Sequence, residues 1–273
     1  MMANGQRYLV TGASGFLGEV VTRLLASRGE SVVGLYRQNP VDIPGAVMLQ
    51  ADLADGEGTR KLLDDVRPHV IIHTAAQTNV GYSQSHPDEA KRDIIDATHQ
   101  LTDSAMDVDP SIVFVHVSTD QVYDGVPRNG AAPYDLSHSV RPLSVYGQMK
   151  LDAEDFARRF DQHAIVRTAL IYGPKGTHRG SFLEWLADGI ARGDRMELFI
   201  DEIRTPIFVE DLAHALIALG ETRPRTCYLA GGPDRLSRYE MGLRVARLLR
   251  ADPSCVVAAN LSETKTPAPR PAD

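Results

Sequence analysis

Two side chains have the types and spacing needed for acid–base chemistry: the phenol and the amine of the motif Tyr146-x-x-x-Lys150. On a helix, a spacing of four places both side chains on one face. A phenol has a pKa of about 10 and exchanges protons poorly near neutral pH. A neighbouring ammonium group favours the phenolate and brings the phenol closer to its working range. The pair could therefore deliver a proton to a carbonyl group that accepts a hydride.

A glycine-rich segment, Gly12-Ala-Ser-Gly15-Phe-Leu-Gly18, lies between an apolar run and an amphipathic helical pattern. Gly12 permits a tight turn, Gly15 lets the backbone approach a pyrophosphate, and Gly18 lets the helix and strand pack closely. The helix N-terminus would offer free N–H groups and a partial positive charge to the phosphates. The segment predicts a dinucleotide loop rather than a plain turn. The loop residues expected to bind the cofactor are Gly12, Ser14, Gly15, Phe16, Leu17 and Gly18.

The second predicted strand ends in Tyr36-Arg37-Gln38, without an acidic residue. An acid at this point would accept a hydrogen bond from the ribose 2′-hydroxyl of NAD and repel a 2′-phosphate. Arg37 could instead pair with a 2′-phosphate, which favours NADPH, while use of NADH stays open. The alternative is that Arg37 is an exposed, solubilising side chain.

The elements that must position these groups alternate between short apolar strands and longer helices. The predicted strands are 8–11, 31–36, 47–51, 70–74, 112–118, 164–168, 197–200 and 227–230. The predicted helices are 16–28, 57–66, 90–106, 144–160, 181–192, 209–219 and 237–249. Strands without polar alternation, separated by helices, predict a parallel sheet covered on both faces. We expect an α/β fold: a Rossmann-type doubly wound sheet in residues 1–173, and a smaller, partly interwoven substrate lobe in residues 174–273.

The Gly-x-x-Gly-x-x-Gly spacing resembles that of the short-chain dehydrogenase/reductase superfamily. Residues 115–125, Val-His-Val-Ser-Thr-Asp-Gln-Val-Tyr-Asp-Gly, closely resemble the Ser-Thr-Asp-x-Val-Phe-Asp-Gly segment of the dTDP-4-dehydrorhamnose reductases. Residues 165–168, residues 201–213 and the pair Arg270-Pro271 resemble further segments of that family. The resemblance therefore spans nearly the whole chain, and it extends to the regulatory subunit of methionine adenosyltransferase.

The resemblance implies roles for individual residues. Thr119 would hydrogen-bond the substrate carbonyl, Tyr146 would donate the proton, and Lys150 would also hold the nicotinamide ribose. The cofactor residues implied beyond the glycine loop are Arg37, Asp52, Leu53, Thr74, Ala75, Ala76, Tyr146 and Lys150. The residues implied near the substrate are Asp120, Gln121 and Arg204. The chain departs from the family at residues 169–171, Ala-Leu-Ile, where an aromatic residue is common, and at Gln121, where Tyr is common.

These features predict an NADPH-dependent reductase of a 4-keto nucleotide sugar of the dTDP-4-keto-6-deoxyhexose type. One alternative is an epimerase or dehydratase on the same scaffold. Resembling dehydratases carry Thr-Asp-Glu, whereas the amide of Gln121 cannot exchange a proton at neutral pH. The other alternative is a non-catalytic, cofactor-holding regulatory subunit.

Composition narrows the remaining choices. With 29 Lys and Arg against 36 Asp and Glu, the formal charge of the 273-residue chain is −7, which argues against a nucleic-acid partner. The two cysteines form no CxxC pattern, no apolar run approaches 18 residues, and no signal peptide is visible, so we expect a cytoplasmic protein without a membrane partner. We expect no metal site, core positions for His73, His116 and Trp185, and a homodimer as one assembly that helices 90–106 and 144–160 could form.

Overall fold

The computed structural model describes residues 5–126, 134–178 and 180–272. The strands in chain order are β1 (Arg7–Thr11), β2 (Ser31–Tyr36), β3 (Val47–Gln50), β4 (Val70–His73), β5 (Val113–Thr119), β6 (His163–Thr168), β7 (Ile171–Tyr172), β8 (Met196–Phe199), β9 (Ile203–Arg204), β10 (Ile207–Phe208), β11 (Arg225–Ala230), β12 (Leu236–Ser237) and β13 (Val256–Ala259). The α-helices are α1 (Phe16–Ser27), α2 (Gly56–Val66), α3 (Val80–Ser85), α4 (Pro87–Lys91), α5 (Ala97–Val108), α6 (Val145–Ala157), α7 (Phe182–Arg192), α8 (Val209–Thr222) and α9 (Arg238–Leu249).

Seven strands form one parallel sheet in the order β11-β6-β5-β4-β1-β2-β3. The registers bring the strand ends into line: Thr11 lies opposite His73, and Thr119 lies opposite Thr168. The strand order reverses between β1 and β4, which opens a crevice at the carboxyl edge of the sheet. The predicted α/β fold with a doubly wound parallel sheet is confirmed.

Apolar clusters cover both faces of this sheet, as its uninterrupted apolar strands predict. On one face, Leu25 of α1 and Leu216 of α8 pack with residues of β1, β4 and β5. On the other, Leu63 of α2 and Leu101 of α5 pack with sheet residues that include Phe114. Burial on both faces keeps the strands fixed, so the loops at their carboxyl ends are held by a rigid support.

A separate apolar cluster lies in the C-terminal part of the chain. Strands β8 and β13 pair in parallel, and α7 and α9 pack on them through Leu186 and Met241. The chain also returns from this region to the central sheet, because β11 pairs with β6 and α8 packs against α1.

The helix predicted for 90–106 is confirmed as a helical segment, although a π-helical turn at Arg92–Asp96 divides it between α4 and α5. The pattern reading missed α3 and five short strands, β7, β9, β10, β12 and β13. The core position predicted for Trp185 was wrong. Trp185 is 53% exposed and does not belong to the core. It lies beside Phe182 on α7, with the two ring centroids 5.6 Å apart. Within the residues described, no helix combines the length and the apolar composition that a bilayer crossing requires.

Candidate active site

A cleft of about 790 Å³ lies along the carboxyl edge of the sheet and extends to the C-terminal region. The structure brings every sequence-predicted site residue to this one cleft. These residues are Gly12, Ser14, Gly15, Phe16, Leu17, Gly18, Arg37, Asp52, Leu53, Thr74, Ala75, Ala76, Thr119, Asp120, Gln121, Tyr146, Lys150 and Arg204.

The glycine loop requires glycine at its first and last positions. Gly12 has φ +68°, and a Cβ there would lie 2.9 Å from Cα of Ala75. A Cβ on Gly18 would overlap the carbonyl oxygen of Gly12. The Thr74 hydroxyl donates to the Thr11 carbonyl oxygen at 2.7 Å and ties the ends of β1 and β4 together. The loop therefore presents backbone rather than side chains to the cleft.

The start of α1 suits a phosphate group. No described side chain caps the helix after Gly15, so its first N–H groups face the cleft with the positive end of the helix dipole. The one carboxylate in the first turn, Glu19, is held elsewhere: it accepts from Thr177 N at 2.8 Å and from Thr177 Oγ1 at 2.6 Å. Arg23 donates to it as well, at 2.8 Å. A pyrophosphate fits this end of the cleft because the nearest negative charge is already satisfied.

Local packing brings the acid–base residues together. The hydroxyl of Ser144 caps α6 by accepting from Gly147 N at 3.1 Å. A Cβ on Gly147 would overlap the carbonyl oxygen of Gln121, so glycine lets α6 lie against the turn that follows β5. As a result, Tyr146 lies near the end of β5, and its side chain lines the cleft together with Thr119.

Burial raises the pKa of Tyr146, and the nearby Asp120 carboxylate adds to this rise, although the Thr119 hydroxyl opposes both. Lys150 Nζ donates to the carbonyl oxygen of Val117 at 2.7 Å. The lowering of the phenol's pKa by Lys150 therefore stays a prediction. The phenol is held in its protonated form, which is the form a proton donor needs.

Two buried histidines lie below Lys150, as predicted for core residues. Burial, then the charge of Lys150, lowers the pKa of His73 to about 3 and that of His116 well below its usual value. Both rings are therefore neutral, and His116 Nε2 lies 3.4 Å from Lys150 Nζ. Burial lowers the pKa of Lys150 itself to about 8, against the opposing charge of Glu154. Across residues 5–126, 134–178 and 180–272, no three or more His, Cys, Asp or Glu side chains are grouped to hold a metal ion.

At the other end of the cleft, three arginines surround one buried glutamate, and we call this group the arginine cluster: Glu202, Arg204, Arg238 and Arg270. Glu202 Oε1 lies 2.9 Å from Arg238 Nη2 and 3.3 Å from Arg204 Nη2. Its Oε2 lies 3.5 Å from Arg270 Nη1 and accepts no described hydrogen bond. Arg204 Nε also lies 3.9 Å from a carboxylate oxygen of Asp120. Burial raises the pKa of Asp120 and the charge of Arg204 lowers it, and the net effect is a rise.

Arg204 is thus a buried residue of the cleft. Sequence reasoning did not assign Glu202, Arg238 or Arg270 to the site. Segments containing Glu202 and Arg270 stood out by resemblance, but they carry no spacing that would reveal a common cluster. Arg238 follows β12, and only the pairing of β12 with β9 brings it beside Arg204.

At the end of the cleft where we expect the ribose, the charged side chains are paired with partners that the sequence did not indicate. Arg37 is paired with Asp93, and Asp52 is paired with Arg92. Asp93 lines the cleft and had not been predicted as a site residue, because it lies 56 positions beyond Arg37 on the π-helical turn.

Comparison with known proteins places this architecture in a family. The chain matches the RmlD substrate binding domain family over residues 6–273. It is 30% identical over 267 residues to a probable low-salt glycan biosynthesis reductase of Haloferax volcanii, covering 96% of this chain and 86% of that protein. It is 32% identical over 272 residues to a dTDP-4-dehydrorhamnose reductase of Streptomyces griseus, covering 97% and 83%.

Among solved structures, a hypothetical dTDP-4-dehydrorhamnose reductase from Sulfolobus tokodaii has a TM-score of 0.83 and 29% identity, covering 98% of this chain and 90% of that one. The fold agrees with this comparison. The chain therefore belongs to the RmlD substrate binding domain family and is an oxidoreductase of the extended short-chain dehydrogenase/reductase type.

Proposed function

We propose that the protein reduces the 4-keto group of a nucleotide sugar of the dTDP-4-keto-6-deoxyhexose type, with NADPH as reductant and NADH as an alternative. The observation that carries the proposal is the burial of Thr119, Tyr146 and Lys150 in one cleft whose lining also includes the glycine loop and the arginine cluster. The relatives named as reductases of such sugars support the same substrate class.

Each residue has a defined task in this reaction. The nicotinamide cofactor, when bound, supplies the hydride. The loop from Gly12 to Gly18 holds its pyrophosphate through backbone N–H groups, and Lys150 binds its ribose hydroxyls. The hydroxyl of Thr119 donates to the carbonyl oxygen of the sugar and orients it. Tyr146 then gives its phenolic proton to that oxygen, as a raised pKa in the resting protein allows.

The arginine cluster fits the diphosphate of the substrate. Its three guanidinium groups face one carboxylate of Glu202, so two positive charges remain at the cleft before Asp120 is counted. Arg238 Nη1 and Arg270 Nε are buried and donate no described hydrogen bond. Guanidinium groups with free donors bind phosphate oxygens well. Residues 1–173 would therefore hold the cofactor, and residues 174–273 would supply most of the grip on the nucleotide sugar.

Gln121 favours reduction over dehydration. Its side-chain oxygen is buried in the cleft without a described hydrogen-bond partner. An amide at this position can hydrogen-bond a sugar hydroxyl, but it cannot remove or supply the proton that loss of water requires.

The test is oxidation of NADPH, followed at its absorbance band, with dTDP-4-keto-6-deoxyglucose and its epimerised form as substrates. The variant Tyr146→Phe removes only the donated proton. We expect a loss in kcat of about 10²-fold to 10⁴-fold, the range for a missing general acid. Tyr228→Phe, on the edge strand β11, is the matched control and should retain full activity.

Two results would contradict the proposal. Equal turnover by Tyr146→Phe would remove the phenol from the chemistry. Tight NADPH binding without oxidation by any 4-keto nucleotide sugar would shift the assignment to a cofactor-holding regulatory role.

A further inference from the structure

The end of β2 lacks an acidic residue in sequence, but the structure supplies one in space. Asp93 Oδ2 accepts a hydrogen bond from Arg37 Nη2 at 2.9 Å, and Asp93 Oδ1 accepts from Arg37 Nη1. Two parallel contacts of this kind are the strongest arrangement between a guanidinium and a carboxylate. Both side chains line the cleft at the end expected to hold the adenosine ribose.

The π-helical turn at Arg92–Asp96 places Asp93 at this position. Ile94 of the turn is buried and anchors it, while the neighbouring Asp93 side chain is only 18% exposed and points along the cleft wall. On the other side, Gln50 Nε2 donates to the carbonyl oxygen of Arg37 at 2.9 Å and fixes the backbone that carries the guanidinium. The Arg37 side chain is 41% exposed, so the pair lies at the open edge of the cleft, with its carboxylate side the more buried one.

The charges in this corner are balanced before any ligand arrives. Arg92 donates to Asp52, and its Nη1 also lies 3.4 Å from Asp93 Oδ1. Arg37 and Arg92 therefore face Asp52 and Asp93, two positive charges against two negative ones. The side-chain hydrogen bonds that Arg37 donates to Asp93 raise the pKa of Arg37, so the guanidinium is charged and paired.

We propose that Asp93 is a specificity-determining residue for the cofactor, because it competes with a ribose 2′-phosphate for the guanidinium of Arg37. This inference rests on the proposed use of a nicotinamide dinucleotide. A 2′-phosphate must displace the Asp93 carboxylate from Nη1 and Nη2 and then lie beside its negative charge. A ribose 2′-hydroxyl meets neither obstacle and can donate to the carboxylate as it stands. The pair therefore lowers the preference for NADPH over NADH that Arg37 alone would give.

The test measures binding without turnover. Dissociation constants are determined by calorimetry for NADP⁺ and NAD⁺, and for adenosine 2′,5′-bisphosphate and AMP as probes that carry only the adenosine end. The variant Asp93→Asn keeps the size and one acceptor oxygen but removes the charge, and Asp93→Ser is a second variant that removes the charge and shortens the side chain. The matched control is Asp103→Asn on α5, whose carboxylate pairs with Arg159 on the outer surface.

We expect Asp93→Asn to tighten adenosine 2′,5′-bisphosphate and NADP⁺ by about tenfold, with NAD⁺ unchanged or weaker, as removal of a repulsive charge predicts. Asp93→Ser should act in the same direction, and Asp103→Asn should leave all four constants unchanged. The inference would be overturned, and the proposed function kept, if the native chain binds normally and neither Asp93 variant changes the ratio of the NADP⁺ to the NAD⁺ dissociation constant. Failure of the native chain to bind any of the four ligands would overturn the proposed function, and the inference with it.

Discussion

Two buried glutamates, one below the sheet edge and one at the far end of the cleft, are surrounded by arginines in different ways. Glu154 accepts four hydrogen bonds: from Ser118 at 2.7 Å, from Arg167 at 2.9 and 2.8 Å, and from Arg158 at 2.9 Å. The remaining Nη1 of Arg167 donates to the hydroxyl of Tyr123 at 2.8 Å. Each of these groups has a partner inside the protein.

Glu202 is equally buried, at 1% side-chain exposure, but its surroundings are incomplete. It faces three arginines, and its own Oε2 has no described hydrogen-bond partner. Burial raises the pKa of Glu202, but the charges of Arg238, Arg204 and Arg270 outweigh burial. The net pKa is lowered, so the carboxylate stays charged. The comparison separates a closed ion pair, which supports the fold, from an open one, which leaves positive charge for a ligand.

The largest effect is expected at the closed pair. Glu154→Gln leaves Arg167 buried without its counter-charge, and we expect a loss of about 3–5 kcal/mol in the free energy of unfolding. The folded-state pKa of Glu154 is lowered, so its stabilisation is complete above the usual carboxyl pKa and is lost as the pH falls through the folded value. Urea denaturation should therefore show the difference from the native chain shrinking below about pH 4.

Asp155→Asn is the control for this measurement, because the Asp155 carboxylate, next to Glu154 on α6, is 79% exposed. We expect a change of less than about 0.5 kcal/mol for this variant. A loss below about 1 kcal/mol for Glu154→Gln would show that the closed pair contributes little to the fold.

A smaller effect is expected at the open cluster. Glu202→Gln should cost about 1–3 kcal/mol, because water and anions can reach the arginines that lose their carboxylate. Pyrophosphate, compared with sodium chloride at equal ionic strength, should raise the melting temperature of Glu202→Gln more than that of Glu154→Gln. Equal responses of the two variants to pyrophosphate would break the distinction between closed and open pairs.

The smallest effect on stability is expected at Lys150, a buried cation with no carboxylate in direct contact. Its folded-state pKa of about 8 is below the usual 10.5. Between these pH values the unfolded chain holds a proton that the folded chain has released, so native stability rises with pH in this window. Lys150→Met should abolish this rise and change the stability at pH 7 by only about 1 kcal/mol, while activity is lost.

Urea denaturation from pH 7 to pH 10 measures how the free energy of unfolding of Lys150→Met changes with pH. Lys175→Met, at a side chain that is 65% exposed, is the control and should keep the native slope. If Lys150→Met keeps the pH dependence of the native chain, a group other than Lys150 is responsible for it.

The difference between local spacing and long-range contacts explains which features could be predicted from the sequence. Sites built on local spacing were visible: the glycine loop and the motif Tyr146-x-x-x-Lys150 each depend on neighbours within seven residues. The strands of the central sheet were visible because they are apolar on both faces. These features follow from the periodicity of one segment at a time.

The features that were missed depend on contacts between distant segments. Asp93 reaches Arg37 only because a π-helical turn interrupts a helix whose apolar pattern continues without a break. Arg238 and Arg270 join Glu202 through the pairing of β9 with β12 and through the hydrogen bond from Ile203 N to Ala272 O, at 2.6 Å. The rise in the pKa of Tyr146 was not predicted, because the sequence does not show the burial that causes it.

The position of α8 has a consequence for how such a protein can be divided or recombined. This helix follows the first segments of the C-terminal region in the chain, yet Leu212, Leu216 and Ile217 are fully buried against α1 and the central sheet. A fragment that stops at residue 173 would leave that face of the sheet uncovered and β6 without β11. A new sugar specificity therefore cannot be introduced by exchanging the C-terminal region as one cassette. It has to arise by substitution in the short segments around β9, β12 and residue 270 that carry the arginines, while α8 and β11 remain in place.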